Sequence, residues 1–268
     1  MAKLRLDKLL VERGLIPSRE RAASLILAGR VLVNEQKQTK AGSAVDPEAN
    51  VRILGEEMPF VSRGGLKLRG ALSHWGIDLA GKLCCDIGAS TGGFTDCMLQ
   101  AGAVGVLAVD TGYGQLAMTL RNDPRVRLLE RTNARLLAAG ALLPETAKIV
   151  AQNGVDPHPA ENQSIRFFAM DVSFISASIV LPAVVGALAP EGSQWSGELV
   201  TLVKPQFEAG REWVGKGGIV RDPAAYTVAI DRVRDTVKAM GGETIGVIDS
   251  PITGMEGNRE FLLYARFV

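Results

Sequence analysis

The residues best suited to chemistry in this chain are a glycine-rich loop and a few charged side chains at the ends of β-strand patterns. Asp86-Ile87-Gly88-Ala89-Ser90-Thr91-Gly92-Gly93-Phe94 lies between a strand pattern and a helix pattern, where an open α/β sheet receives its ligand. Gly88, Gly92 and Gly93 do not make the G-x-G-x-x-G dinucleotide fingerprint. Asp110 ends the next strand pattern, where a carboxylate can accept both hydroxyls of a ribose. A glycine loop followed by an acidic second strand suits an adenosine-bearing ligand without a pyrophosphate, and S-adenosylmethionine meets that description.

Proton transfer falls to lysines and carboxylates, because neither of the two histidines is placed for it. Asp171 ends the pattern Phe167–Met170, Lys204 ends Leu199–Val203, Glu260 opens the final strand, and Lys67 starts the helix leading into the sheet. Each alone reads as a solvated charge, but together they converge on the edge where α/β sheets do chemistry. Gly88-x-Ser90-x-Gly92 also spells a nucleophile elbow. That reading fails for want of a base, since His158 is the only histidine after Ser90 and sits in a Pro/Asn-rich stretch. Gly210-x4-Gly215-Lys216-Gly217 resembles a phosphate loop but lacks its final Ser/Thr and a following helix.

Elements that would position these residues alternate along the chain. Strand patterns at 83–85, 104–109, 125–129, 167–170 and 199–203 are interleaved with helix patterns at 94–102, 113–121, 176–189 and 224–240. This predicts an α/β domain with a parallel sheet covered on both faces. The short connection from 249 to 260 predicts that the last strand, 261–267, pairs antiparallel with 244–248. Residues 138–165 read as a surface insertion without chemistry. Residues 172–190 carry no charge, but their serines, glycine and prolines favour a buried loop and helix over a membrane span.

Composition sharpens the division into two parts. With 47% hydrophobic and 22% charged residues among 268, the chain can bury a sizeable core and is not globally disordered. Its net charge of +1 conceals an asymmetry: residues 1–69 hold 13 Lys and Arg against 8 Asp and Glu, and the rest hold 17 against 21. A basic module that meets a polyanion is the expected cause. Leu6, Leu9 and Leu10 form one helical face, Ser18 caps a second helix, and strands follow at Val31–Val33 and Val51–Leu54. The expected division is residues 1–59, a linker at 60–65 broken by Gly64-Gly65, and a domain at 66–268. Cys84, Cys85 and Cys97 have no metal or disulfide spacing and read as buried thiols of a reducing cytoplasm; no metal site is expected.

Two resemblances extend this reading. Arg5-Leu6-Asp7-Lys8-Leu9-Leu10, Ser18-Arg19-Glu20-Arg21-Ala22 and Ile26-Leu27-Ala28-Gly29-Arg30-Val31-Leu32-Val33-Asn34 resemble the RNA-binding αL domain of small-subunit ribosomal protein four. The resemblance implies that Arg19, Arg21, Arg30 and Asn34 grip structured RNA. Arg63-Gly64-Gly65-Leu66-Lys67, the 86–96 loop, Glu130-Arg131-Thr132-Asn133, Met170-Asp171-Val172-Ser173-Phe174, Val203-Lys204-Pro205-Gln206-Phe207-Glu208 and Gly257-Asn258-Arg259-Glu260 closely resemble the TlyA (hemolysin A) family of rRNA methyltransferases, whose catalytic half is FtsJ-like. This implies a Rossmann-like fold that binds S-adenosylmethionine, with Lys67, Asp171, Lys204 and Glu260 as a catalytic tetrad for ribose 2′-O-methylation. Asp86, Gly88, Ala89, Ser90, Gly92, Gly93 and Phe94 would surround the cofactor, with Asp110 on its ribose and Asn133 near its adenine. Lys204 is the expected base, with Lys67 as its orienting partner; a neighbouring cation and partial burial favour a neutral amine. Arg63, Arg69 and Arg135 are expected on a basic rim. The implied partner is bacterial rRNA, in subunits or intact ribosomes and methylated on cytidine, met by a cytoplasmic monomer. A membrane-active hemolysin and a non-catalytic ribosome-assembly factor are the competing readings.

Overall fold

A computed structural model describes residues 3–54, 58–153, 164–254 and 257–268. The chain divides into two compact units, Met1–Glu57 and Met58–Val268. In the smaller unit, β1 (Leu4–Arg5), α1 (Leu6–Glu12), α2 (Arg19–Leu27), β2 (Val31–Val33), β3 (Gln36–Gln38), β4 (Ala44–Val45) and β5 (Val51–Ile53) follow in order. Ser18 caps α2 by accepting from the Arg21 backbone N–H at 3.2 Å. Leu6, Leu9, Leu10, Ala22, Leu25 and Ile26 pack together as its core. β3 has no apolar alternation to announce it. It forms because Asn34 (φ 50°) and Glu35 (φ 61°) turn the chain back onto β2, as a tight hairpin requires.

The larger unit runs α3 (Gly64–Trp75), β6 (Leu83–Ile87), α4 (Gly93–Gln100), β7 (Gly105–Val109), α5 (Met118–Arg121), β8 (Val126–Leu129), a 3-10 turn (Ala134–Leu136), α6 (Leu143–Asn153), β9 (Ile165–Met170), α7 (Ala177–Ala187), β10 (Gly197–Val203), α8 (Pro205–Glu208), α9 (Pro223–Ala239), β11 (Glu243–Asp249) and β12 (Phe261–Phe267). The described strands form one sheet in the order β11-β12-β10-β9-β6-β7-β8. β10, β9, β6, β7 and β8 are parallel, and β12 runs antiparallel to both β10 and β11. Its central strands are apolar almost throughout because both faces are covered. Cys84 and Cys85 face opposite cores, and both thiols are buried and free.

Three sequence expectations are corrected here. Residues 60–65 are no linker: Phe60 is buried, the Val61 N–H donates to Asp96 at 2.8 Å, and α3 begins at Gly64. Gly64 and Gly65 serve close packing instead of a chain break. A Cβ on Gly65 would lie 2.3 Å from the Phe60 ring, and one on Gly93 would lie 2.8 Å from the Gly65 nitrogen. Secondly, the helix expected at 113–121 shortens to α5, since Gly112 and Gly114 keep the preceding segment in turns. Thirdly, the first part of the supposed insertion at 138–165 is structural, with Leu142 and Ile149 buried in the main core; residues 154–163 lie outside the described residues. The uncharged run at 172–190 contains the eleven-residue α7, buried through Val180, Leu181 and Val184. No helix among the described residues is long and apolar enough to cross a membrane.

The Gly93 contact is testable. Gly93→Ala forces a methyl group against backbone and should cost about 1–3 kcal/mol, as overpacking does. Gly186→Ala, in α7 with open space at its Cβ, should be neutral or stabilise by about 0.5–1 kcal/mol. Urea midpoints of the two variants would show it; equal midpoints would refute the close approach of α3 and α4.

Candidate active site

Sheet topology gathers the four charges. Asp171 and Lys204 follow the ends of the parallel neighbours β9 and β10. β12 runs the other way, so its start meets the end of β10, with Phe261 opposite Val203. Glu260 therefore reaches the same sheet edge from the opposite chain direction. Lys67, in the first turn of α3, completes the group. Its Nζ lies 2.6 Å from Glu260 Oε2 and 3.6 Å from Asp171 Oδ2, and Lys204 Nζ lies 2.5 Å from Asp171 Oδ1. The result is an alternating series, Glu260–Lys67–Asp171–Lys204. Lys67, Lys204 and Glu260 are buried and Asp171 is half-buried, so each charge relies on its neighbours for what water would otherwise supply.

Lys204 also donates to the Ser173 hydroxyl at 2.8 Å. The four charges open into a cleft of about 520 Å³ whose other wall is the glycine loop, from Gly88 to Thr91 with Gly93 and Phe94. Gly88 turns at φ 84°, and a Cβ there would lie 2.5 Å from the Asp171 carbonyl oxygen, so only glycine lets the loop approach the charged series. Beneath the loop, Asp86 Oδ2 accepts from the Thr95 N–H (2.8 Å) and hydroxyl (2.6 Å), while Oδ1 is buried without a hydrogen-bond partner among the described residues. Burial pushes the Asp86 carboxyl up to about 7 against those two hydrogen bonds, and the Asp171 and Asp110 carboxylates add to the rise.

The remaining expected ligand residues are only partly brought together. Asp110 accepts from the Ser90 N–H (2.7 Å) and the Gly112 N–H (2.6 Å), shaping the loop from outside the cleft lining. Gly92 packs toward Leu116 and Leu120. Asn133 is exposed, outside the lining, and caps a 3-10 turn by accepting from the Arg135 N–H at 3.1 Å. Ser90, the nucleophile of the discarded hydrolase reading, meets Gln115 at 3.2 Å, not a histidine; His158 lies outside the described residues. The glycine segment at 210–218 forms two 3-10 turns, pinned where Asn258 accepts from the Val220 N–H and donates to the Gly218 carbonyl.

Several lining residues carried no assigned role in the sequence. Phe174 holds φ 65° and is 89% exposed, with its ring 5.8 Å from that of Phe207. A large side chain in the left-handed region costs energy that the surroundings must hold, and an exposed ring at a cleft mouth offers a stacking face. Ser173, Gln206 and Asn258 complete the polar lining. They lie within the motifs that carry the resemblance, each two or three positions from one of the four charges.

Of the expected RNA contacts, Arg63 lines the cleft and is exposed, while Arg69 stacks over Phe60. In the smaller unit, Arg19 pairs with buried Asp7 at 3.1 Å, and a hydrogen bond from Arg5 holds that carboxyl well below the usual carboxylate range. Arg30 donates to the Leu54 carbonyl, and Asn34 accepts from the Asn50 N–H. Arg21 has a partner of its own. Arg19, Arg30 and Asn34 thus have structural duties within their unit.

Comparison with known proteins agrees with this division. Residues 60–267 match the FtsJ-like methyltransferase family and residues 4–51 match the S4 domain. The chain is 43% identical over 265 residues to the 16S/23S rRNA (cytidine-2′-O)-methyltransferase TlyA of Mycobacterium tuberculosis, covering 98% of this chain and 90% of that protein. Hemolysin A of Brachyspira hyodysenteriae is 36% identical, covering 97% and 99%. A solved structure from Streptococcus thermophilus, described provisionally as a hemolysin, superposes with a TM-score of 0.68 at 39% identity, covering 99% of this chain and 89% of the other.

Asp86 makes stability depend on pH. The folded protein keeps its proton up to about pH 7, whereas the ordinary value is 3.8. Between those values the folded state binds more protons than the unfolded state, so stability falls as pH rises through the window and is level above it. Asp86→Asn lacks this slope. Wild-type thermal midpoints should therefore fall relative to those of the variant from about pH 4 to about pH 7; parallel curves across that window would contradict the buried, half-satisfied carboxyl.

Proposed function

The chain belongs to the FtsJ-like methyltransferase family, and from that premise we propose that it methylates ribose 2′-hydroxyls of bacterial rRNA, on cytidine, using S-adenosylmethionine. One observation carries the reading: Lys204, at the end of an alternating charge series, already donates to a hydroxyl oxygen inside the cleft, that of Ser173. A ribose 2′-hydroxyl presented at that distance would be placed to give its proton to Nζ.

S-adenosylmethionine, when bound, supplies an electrophilic methyl group on a sulfonium. Residues 88–94 would hold it: the missing Cβ of Gly88 lets the loop lie against the Asp171 backbone, and the unpaired Asp86 oxygen beneath leaves acceptor capacity for a cationic ligand. Lys67 and Lys204 stand against Asp171 and Glu260, two cations and two anions, before the cationic cofactor enters the cleft. Lys67 faces two carboxylates, whereas Lys204 faces one carboxylate and a neutral hydroxyl. Lys204 is therefore assigned as the base that takes the 2′-hydroxyl proton, and Lys67 as the cation that fixes Asp171 and Glu260. Phe174 offers its exposed face to the base of the nucleotide, since single-stranded RNA is recognised by stacking. Arg63 supplies a phosphate contact at the rim. The S4 domain supplies a further RNA-binding unit. rRNA within subunits or intact ribosomes, met by a monomer in the cytoplasm, is the setting this reading implies.

Lys204→Arg keeps the positive charge but cannot accept a proton at neutral pH. It should lower kcat by at least about 100-fold, the scale of general-base catalysis, with calorimetric S-adenosylmethionine affinity unchanged. Retained turnover would remove Lys204 from its role. Phe174→Ala should raise KM for rRNA and leave S-adenosylmethionine affinity alone; an unchanged KM and kcat would deny the ring a part.

A further inference from the structure

We propose that Glu208 is a positioning residue for the transfer site, holding the loop of Asp171, Ser173 and Phe174 against the turn of Lys204. The inference rests on the methyltransferase reading of the cleft. β9 and β10 are paired only as far as Met170 and Thr201. Beyond that point the ladder between the two strands ends, yet Asp171 and Lys204 must stay in contact. Glu208 supplies a link. Its side chain is buried, with the residue 1% exposed. Oε2 accepts from the Ser176 hydroxyl at 2.6 Å and the Ser178 hydroxyl at 2.7 Å, and Oε1 accepts from the Ala177 N–H.

All three donors belong to the start of α7, directly after the loop that carries Asp171, Ser173 and Phe174. On the other side, α8 is a single turn, and the Glu208 N–H donates to the Lys204 carbonyl at 3.1 Å. One carboxylate thus joins the two segments by three hydrogen bonds. Capping alone does not account for it. Ser176 occupies the N-cap position of α7 and makes no side-chain cap of its own, although serine is among the preferred caps. Burying a carboxylate from another element costs more desolvation than that local cap. What the distant carboxylate adds is a tether across the two loops.

The test compares full-length Glu208→Ala and Glu208→Gln with wild type, using labelled S-adenosylmethionine and rRNA, with thermal midpoints to correct for folded fraction. Glu208→Ala should lower kcat by about 30-fold or more, as misplacement of reacting groups does, with KM for S-adenosylmethionine within about threefold. Gln spans the same distance, accepts from the Ala177 N–H and donates to a serine hydroxyl, so kcat should return to within about fivefold of wild type. Full kcat per folded molecule in Glu208→Ala would overturn the inference. So would Glu208→Gln as slow as Glu208→Ala, which would make charge the cause. Should Glu208→Ala not fold, the Ser176→Ala/Ser178→Ala double variant must show the same kcat loss, and full rate there overturns it. A wild type that transfers no methyl group to rRNA overturns the methyltransferase reading and this inference with it.

Discussion

Four charges of alternating sign, Glu260, Lys67, Asp171 and Lys204, can stay largely out of water only in one another's company. Removing one partner from a buried pair leaves a charge without compensation, typically at about 3–5 kcal/mol. The fold is arranged around that constraint. Two parallel strands end at Asp171 and Lys204, the antiparallel β12 begins at Glu260 beside them, and α3 brings Lys67 in from residues far earlier in the chain. Gly88 brings the loop over the series, and Gly93 with Gly65 lets α3 approach α4 closely enough to seat Lys67.

The same arrangement separates binding from chemistry within the cleft. The glycine loop forms one wall, and Asp86 lies buried beneath it with one oxygen unpaired among the described residues. The exposed Ser173 and Phe174 and the half-buried Phe207 form the mouth, the face proposed to receive a nucleotide. The charged series stands between them. Loops at the ends of a rigid sheet carry the variable contacts, and the strands fix where the reacting groups stand.

Much of this was legible in the sequence, for identifiable reasons. Buried parallel strands announce themselves as apolar runs, so β6, β7, β9 and β10 could be placed, and a charge directly after such a run marks the sheet edge. The convergence of the four charges was legible for that reason, and the family resemblance supplies the roles proposed for them. What could not be read depended on partners distant in sequence. Gly64-Gly65 looks like a chain break until Phe60 and Gly93 are seen packed against it. β3 is all polar, so only the positive φ angles at Asn34 and Glu35 create it. Glu208 reads as one more acid after Lys204 until α7 is laid beside it. Asn133 and Asp110 were expected on the ligand, but local hydrogen bonds to Arg135, Ser90 and Gly112 engage their side chains outside the cleft lining. The charge asymmetry read over residues 1–69 shrinks at the observed boundary, because Arg63, Lys67 and Arg69 belong to the larger unit and residues 1–57 hold 10 Lys and Arg against 8 Asp and Glu; Arg19 and Arg30, moreover, brace their own unit.

The most direct measurement is the chemical position of the transferred methyl group. Purified protein, methyl-labelled S-adenosylmethionine and bacterial ribosomal subunits are incubated, and the rRNA is digested to nucleosides and analysed by mass spectrometry. A lysine–carboxylate series facing a ribose hydroxyl predicts label in 2′-O-methylcytidine, with the methyl group on the sugar fragment. Label on the base fragment, or none in rRNA while S-adenosylmethionine binds, would contradict it.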